Sequence, residues 1–192
     1  MLYSVNFAEI ESLQRQGRWQ DITSILVHAA KSIEAGGADF LMLCTNTMHR
    51  VADEIQANIR IPFLHIADAA ATAVKSRGLT SIGLLGTRIT MEEDFYKMRL
   101  VSRHELQVLI PSEKDREIVN RIIYEELVLG KIEAVSRQEY LRIITELASR
   151  GAQGVILGCT EIGLLINQQD TPLPLFDTTM IHAQAAVAFA LS

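Results

Sequence analysis

Cysteine is scarce in this chain, which carries two among 192 residues. Two thiols make no disulfide framework, and in a reducing compartment they are more often buried hydrophobes or reactive groups than a bridge. There is no CxxC pair, and the five histidines are scattered, which excludes the usual structural zinc patterns. Basic clusters are missing too. Lys and Arg number 18 against 23 Asp and Glu, for a net charge of −5, so nothing follows a phosphate backbone and nucleic acid is not an expected partner. No apolar stretch approaches the roughly 20 residues of a membrane helix. The opening MLYSVNFAEI also lacks the basic-then-apolar order of a secretion signal. A soluble, cytoplasmic protein with no membrane partner is expected.

What the chain has is hydrophobic content, 48% of it, in two alternating periods. From Asp21 onward Ile22, Ile25, Leu26, Ala29, Ala30 and Ile33 recur at helical spacing, and Gly36-Gly37 ends the run. FLML follows, too short for a helix and bounded by polar residues, hence a buried strand. The rhythm repeats in PFLHI then ADAAATAVKSR, and in SIGLLG then MEEDFYKMRLVSR. Beyond these come LQVLI, two helices in DREIVNRIIYEELVLG and SRQEYLRIITELASR, the strands GVILG and LPLF, and a last helix in TTMIHAQAAVAFALS. Strands alternating with helices predict an α/β protein with mainly parallel sheet. Ligands of such sheets bind outside the carboxyl ends of the strands. LCTNT, LLGTRIT and LGCTE all fall there.

The two cysteines are not equivalent. Aligned on Gly37-Ala38 and Gly151-Ala152, Cys44 matches Gly158 and Thr45 matches Cys159. If strand alternation holds to the end, Thr45 and Cys159 face the same way and Cys44 the other. Cys44 reads as a small buried hydrophobe. Cys159, flanked by Gly158, Thr160 and Glu161, suits a thiol at a helix start whose dipole lowers its pKa.

TNTMH from Thr45 and GCTE from Gly158, supported by IPFLHIAD, LLGTRIT and PLFDTTMIHA, resemble the signatures of the aspartate/glutamate racemase family over nearly the whole chain. The resemblance implies two similar α/β lobes, residues 1–76 with 173–192 and residues 77–172, with the active site in the cleft between them. It implies cofactor-independent racemisation of a small-molecule amino acid, aspartate or glutamate, by two opposed bases. One departure is Thr45, where most of the family has its first cysteine, although a subgroup carries threonine. A hydroxyl is a far weaker acid and base than a thiol with a pKa near 8.5. Catalytic Cys159 is therefore the expected base and Thr45 a poor opposite-face partner. The other departure is the beginning: LYSVNF resembles the second strand of the first lobe, without the glycine-rich strand that usually precedes it. Three explanations follow: a start lying upstream, an impaired lobe, or a partner chain filling the gap as in a homodimer.

Proton removal next to a carboxylate builds charge on that carboxylate, so the site needs donors. Asn46, Thr47, Thr87 and Thr160 are of the right type, each threonine equally readable as a turn or cap. Glu161 is expected near the substrate amine, and Gln14 with Arg18 near its side chain. His49 and His65 read as braces, and His104, in an exposed RHE string, as non-catalytic. A one-thiol decarboxylase or lyase and a non-catalytic chain that binds a small acid are the alternative readings.

Overall fold

A computed structural model describes residues 1–192. Packing divides the chain into two units, Met1–Leu43 with Arg50–His65, and Cys44–His49 with Ile66–Ser192. These units do not coincide with the lobe limits expected above.

In the first unit, helix α1 (Phe7–Arg15) starts at Asn6, whose Oδ1 accepts the Ala8 N–H at 3.0 Å, and is closed by Gly17 at φ +69°. A left-handed closing residue is the usual place for glycine. The LYSVNF segment, expected as a strand, has no strand in it. Leu2 and Tyr3 are exposed, Val5 is half-buried, and Asn6 is spent as a helix cap. Helix α2 (Trp19–Ala35) buries Ile22, Leu26, Ala29 and Ala30, on the stripe read from the sequence. It packs on α1, on strand β1 (Leu41–Met42) and on helix α3 (Ala52–Ala57). Strand β2 (Phe63–Leu64) pairs with β1 in parallel, Leu41 opposite Phe63 and Met42 opposite Leu64. The Glu34 carboxylate, at the end of α2, accepts the N–H groups of Arg60 and Ile61 just ahead of β2.

The second unit starts its regular run with helix α4 (Ile66–Ser76), strand β3 (Ser81–Gly86), and helices α5 (Arg88–Glu92) and α6 (Asp94–His104). Strand β4 (Gln107–Leu109), helices α7 (Glu113–Glu125) and α8 (Ala134–Ser149), strand β5 (Val155–Gly158), helix α9 (Ile162–Leu165), strand β6 (Leu175–Asp177) and helix α10 (Thr178–Ala190) complete it. The four strands are parallel in the order β4-β3-β5-β6. The α/β class expected from the sequence is the one observed, and the six strands expected after LYSVNF are present.

Both faces of the central strands are covered, which is why SIGLLG and GVILG read as continuous apolar runs. Leu85, Val155 and Leu157 meet Val119, Ile122, Tyr140, Ile143 and Leu147 of α7 and α8. Ile82, Leu84 and Ile156 meet Ala67, Ala70, Ala71, Val74, Tyr96 and Leu100 of α4 and α6. Helix α10 packs along α4. MEEDFYKMRLVSR, expected as one helix, is two: Glu93 is extended, and its N–H closes α5 on the Ile89 carbonyl at 3.0 Å. His104 is half-buried rather than exposed, and its Nε2 lies 2.8 Å from Asp68 Oδ1. The same Asp68 accepts two hydrogen bonds from Arg99, at 2.7 and 2.6 Å, and so ties α4 to α6. No helix is long and apolar enough to cross a membrane.

Candidate active site

Strands β3 and β5 end side by side, Gly86 opposite Gly158. A Cβ on Gly86 would lie 2.8 Å from the Gly158 carbonyl oxygen, and one on Gly158 would lie 2.8 Å from that of Leu85. Only glycine fits at either position, and the two close-set strands deliver Thr87 and Cys159 as adjacent next residues. Thr87 caps α5, its Oγ1 accepting the Thr90 N–H at 3.3 Å. Three buried hydroxyls meet here: Thr47 Oγ1 is 2.9 Å from Thr87 Oγ1 and 3.3 Å from Thr90 Oγ1, and the latter two are 3.0 Å apart. Thr47 arrives on the 3-10 turn Thr47–Val51.

A second chain of bonds runs through Asn46. The Thr178 hydroxyl donates to the Leu157 carbonyl at 2.8 Å, so its oxygen must accept from Asn46 Nδ2 at 3.0 Å. That fixes the amide's orientation and leaves Asn46 Oδ1 buried with no hydrogen-bond partner. Asn46 was expected as a donor; its free atom is an acceptor. His49 is bound at both ring nitrogens, Nδ1 to the Thr45 carbonyl at 2.7 Å and Nε2 to the Ile66 N–H at 3.2 Å. A carbonyl can only accept and an amide N–H can only donate, so His49 is the neutral Nδ1–H tautomer. It clamps the residues after Thr45 onto the start of α4. Thr45 itself is half-buried. Since β1 ends at Met42, strand alternation does not extend to Thr45, and the expected common direction of Thr45 and Cys159 has no strand to carry it.

Cys159 donates its Sγ–H to Glu161 Oε2 at 2.9 Å, and the Thr160 hydroxyl donates to the same oxygen at 2.8 Å. Burial pushes the thiol pKa well above its usual range, and the neighbouring Glu161 carboxylate pushes it further. This reverses the lowered pKa expected from a helix start. The helix that follows, α9, has four residues, too few peptide dipoles to outweigh desolvation and a carboxylate in contact. Glu161, expected near an amine, is engaged with the thiol. Cys44, expected as a buried hydrophobe, is exposed, while Cys159 is half-buried against the core under α7 and α8.

Of the other residues singled out, Gln14 stands half-buried on α1 of the first unit, and Arg18 pairs with Asp21 at 2.7 Å. His65 is buried with its ring edge-on to Phe63. Thr90 and Thr178, both fully buried, were not anticipated. Their signals were present in the sequence as the second threonine of LLGTRIT and the first of FDTTM, each placed just past a strand end.

The sequence profile of the Asp/Glu/hydantoin racemase family matches residues 1–186. A broad-specificity amino-acid racemase, RacX, from Bacillus subtilis is 21% identical over 179 residues, which are 90% of this chain and 74% of that protein. The crystal structure of a candidate Asp/Glu racemase from Yersinia pestis superposes with a TM-score of 0.93 at 54% identity, covering 100% of this chain and 84% of that one. An aspartate racemase homologue from Pyrococcus horikoshii superposes at 0.86 with 37% identity, covering 100% and 83%.

Proposed function

The chain belongs to the Asp/Glu/hydantoin racemase family, and from that premise we propose that it racemises an acidic amino acid, aspartate or glutamate, with no cofactor. The observation that carries the reading is the Cys159–Glu161 hydrogen bond at the end of β5, one residue beyond the glycine pair. A thiol must lose its proton before it can act as a base. Here the proton has a destination, Glu161 Oε2. The thiolate then removes the α-proton of the substrate, giving a neutral thiol again and an enolate-like carboxylate. Hydroxyls of Thr47 and Thr87 donate to that carboxylate as its charge develops.

Asn46 Oδ1, an acceptor with no partner of its own, matches an N–H of the substrate ammonium. Return of a proton to the opposite face falls to Thr45, whose hydroxyl relays it from solvent because it is too weak an acid to supply it quickly. Exchange with solvent should therefore outrun inversion. In deuterated water, one enantiomer of aspartate or glutamate should gain α-deuterium faster than its mirror image forms. Cys159→Ala should abolish that exchange and Cys44→Ala should not. Absence of α-deuterium in all four acidic amino-acid enantiomers would remove the reading.

A further inference from the structure

We infer that Thr90 is a positioning residue that turns a closed ring of three hydroxyls into a two-donor clasp for a ligand carboxylate. The inference rests on the racemase reading only in taking the ligand to be an acidic amino acid. Each hydroxyl has one proton and two lone pairs. With contacts of 2.9, 3.0 and 3.3 Å around the triangle, the ring without ligand can hold all its protons internally. Thr90 is 0% exposed and cannot reach a ligand, whereas Thr47 at 8% and Thr87 at 6% retain a little accessible surface. The outward-facing pair is Thr47 and Thr87.

Two hydroxyls alone present one donor. Their oxygens are 2.9 Å apart, so one must donate to the other, or lone pair faces lone pair. With Thr90 behind them the count changes. Its proton can lie between the two oxygens, which frees both outer protons for the two oxygens of one carboxylate. The Thr90 N–H, on Thr87 Oγ1 at 3.3 Å, also favours an outward Thr87 proton. Thr90's methyl has a separate task. It occupies the space over the glycine pair, where a Cβ on Gly86 would meet Thr90 Cγ2 at 3.2 Å and one on Gly158 would meet it at 3.4 Å. The ring is thereby seated against the residue preceding Cys159.

Because methyl and hydroxyl do different jobs, substitution separates them. Thr90→Val keeps the shape and deletes the proton, so one charge-assisted hydrogen bond to the ligand is lost. Thr90→Ser keeps the proton and deletes the methyl. Calorimetric titration with both enantiomers of aspartate and glutamate gives Kd, and α-deuterium exchange gives KM and kcat. Thr90→Val should weaken binding about tenfold, the loss falling on KM more than kcat while the thermal midpoint stays near the parent's. Thr90→Ser should stay within about twofold of the parent, the proton that carries the hydrogen bond being retained. If Thr90→Val does not fold, Thr90→Ser against Thr90→Ala makes the same comparison at constant methyl loss.

Parent-like binding by Thr90→Val, or equal losses for Thr90→Val and Thr90→Ser, overturns the inference and leaves the racemase reading intact. Binding without exchange in the parent removes the racemase reading, while the Kd comparison still decides the role of Thr90. A parent that neither binds nor exchanges any of the four ligands overturns both.

Discussion

Cys44 and Cys159 exchange the characters their flanking residues suggest. Small polar neighbours around Cys159 mark a reactive thiol, yet the carboxylate that accepts its proton also opposes its ionisation. Cys44, in a motif that belongs to the site, is the exposed sulfur. Iodoacetamide at neutral pH should therefore label Cys44 first, by about tenfold or more given the upward shift at Cys159, and peptide mapping by mass spectrometry would read the order. Glu161→Gln sharpens the point because two readouts move in opposite directions. Removing the anion beside the thiolate should speed alkylation of Cys159, whereas removing the proton acceptor should slow α-deuterium exchange. A variant that slowed both would mean that Glu161 only holds the loop. Asn46 and His49 show the same dependence on neighbours: the amide orientation follows from the Thr178 hydroxyl and the Leu157 carbonyl, and the ring tautomer from the Thr45 carbonyl within the motif together with the Ile66 N–H outside it.

Helices in the second unit are joined through carboxylates. Asp68 joins α4 to α6 through Arg99 and His104, and Asp115 at the start of α7 is held by Arg142 of α8 and by Ser112. The Arg142 hydrogen bond is the largest cause lowering the Asp115 pKa; burial opposes it, and Ser112 assists. The sign follows from linkage. A carboxyl whose folded pKa lies below its unfolded value of about 3.9 adds stability above that pH and loses it as the pH falls through the folded value. Arg142→Gln removes the main lowering influence and leaves burial, so acid unfolding followed by circular dichroism should begin at a higher pH. The cost near neutral pH should be on the order of 1 kcal/mol, held down because the Arg142 side chain is 47% exposed. Asp115→Asn should instead flatten the acid limb. An unchanged acid midpoint in Arg142→Gln would show that Ser112 and the helix start hold the carboxylate unaided.

Across the whole chain, strand length and burial predict where the backbone opens. Strands β3 and β5 are buried along their entire length, whereas β1 and β2 are two residues each and pair only with one another. A two-stranded ladder is marginal alone, and local opening follows shallow burial. Hydrogen exchange should find the slowest amides in β3 and β5 and much faster ones at Leu41 to Leu64. Comparable protection in both would mean that the first unit is as stable as the second. The order of elements was legible in the sequence because apolar runs, glycine stops and polar strand ends are local features, read within a few residues. This determined the α/β class, the six strands and the placement of Thr87 and Cys159 at strand ends. LYSVNF, expected as a strand from its resemblance alone, is not one, and its Asn6 caps α1 instead. The tertiary structure alone decided which groups share protons. Thr47 meets Thr87 across 40 residues of chain and Asn46 meets Thr178 across 132. Hydrogen-bond direction at Asn46 is set by such distant partners, and the acidity of Cys159 first by the burial that tertiary packing creates and then by the Glu161 carboxylate two residues on, whose effect on its own gives no measure of that burial.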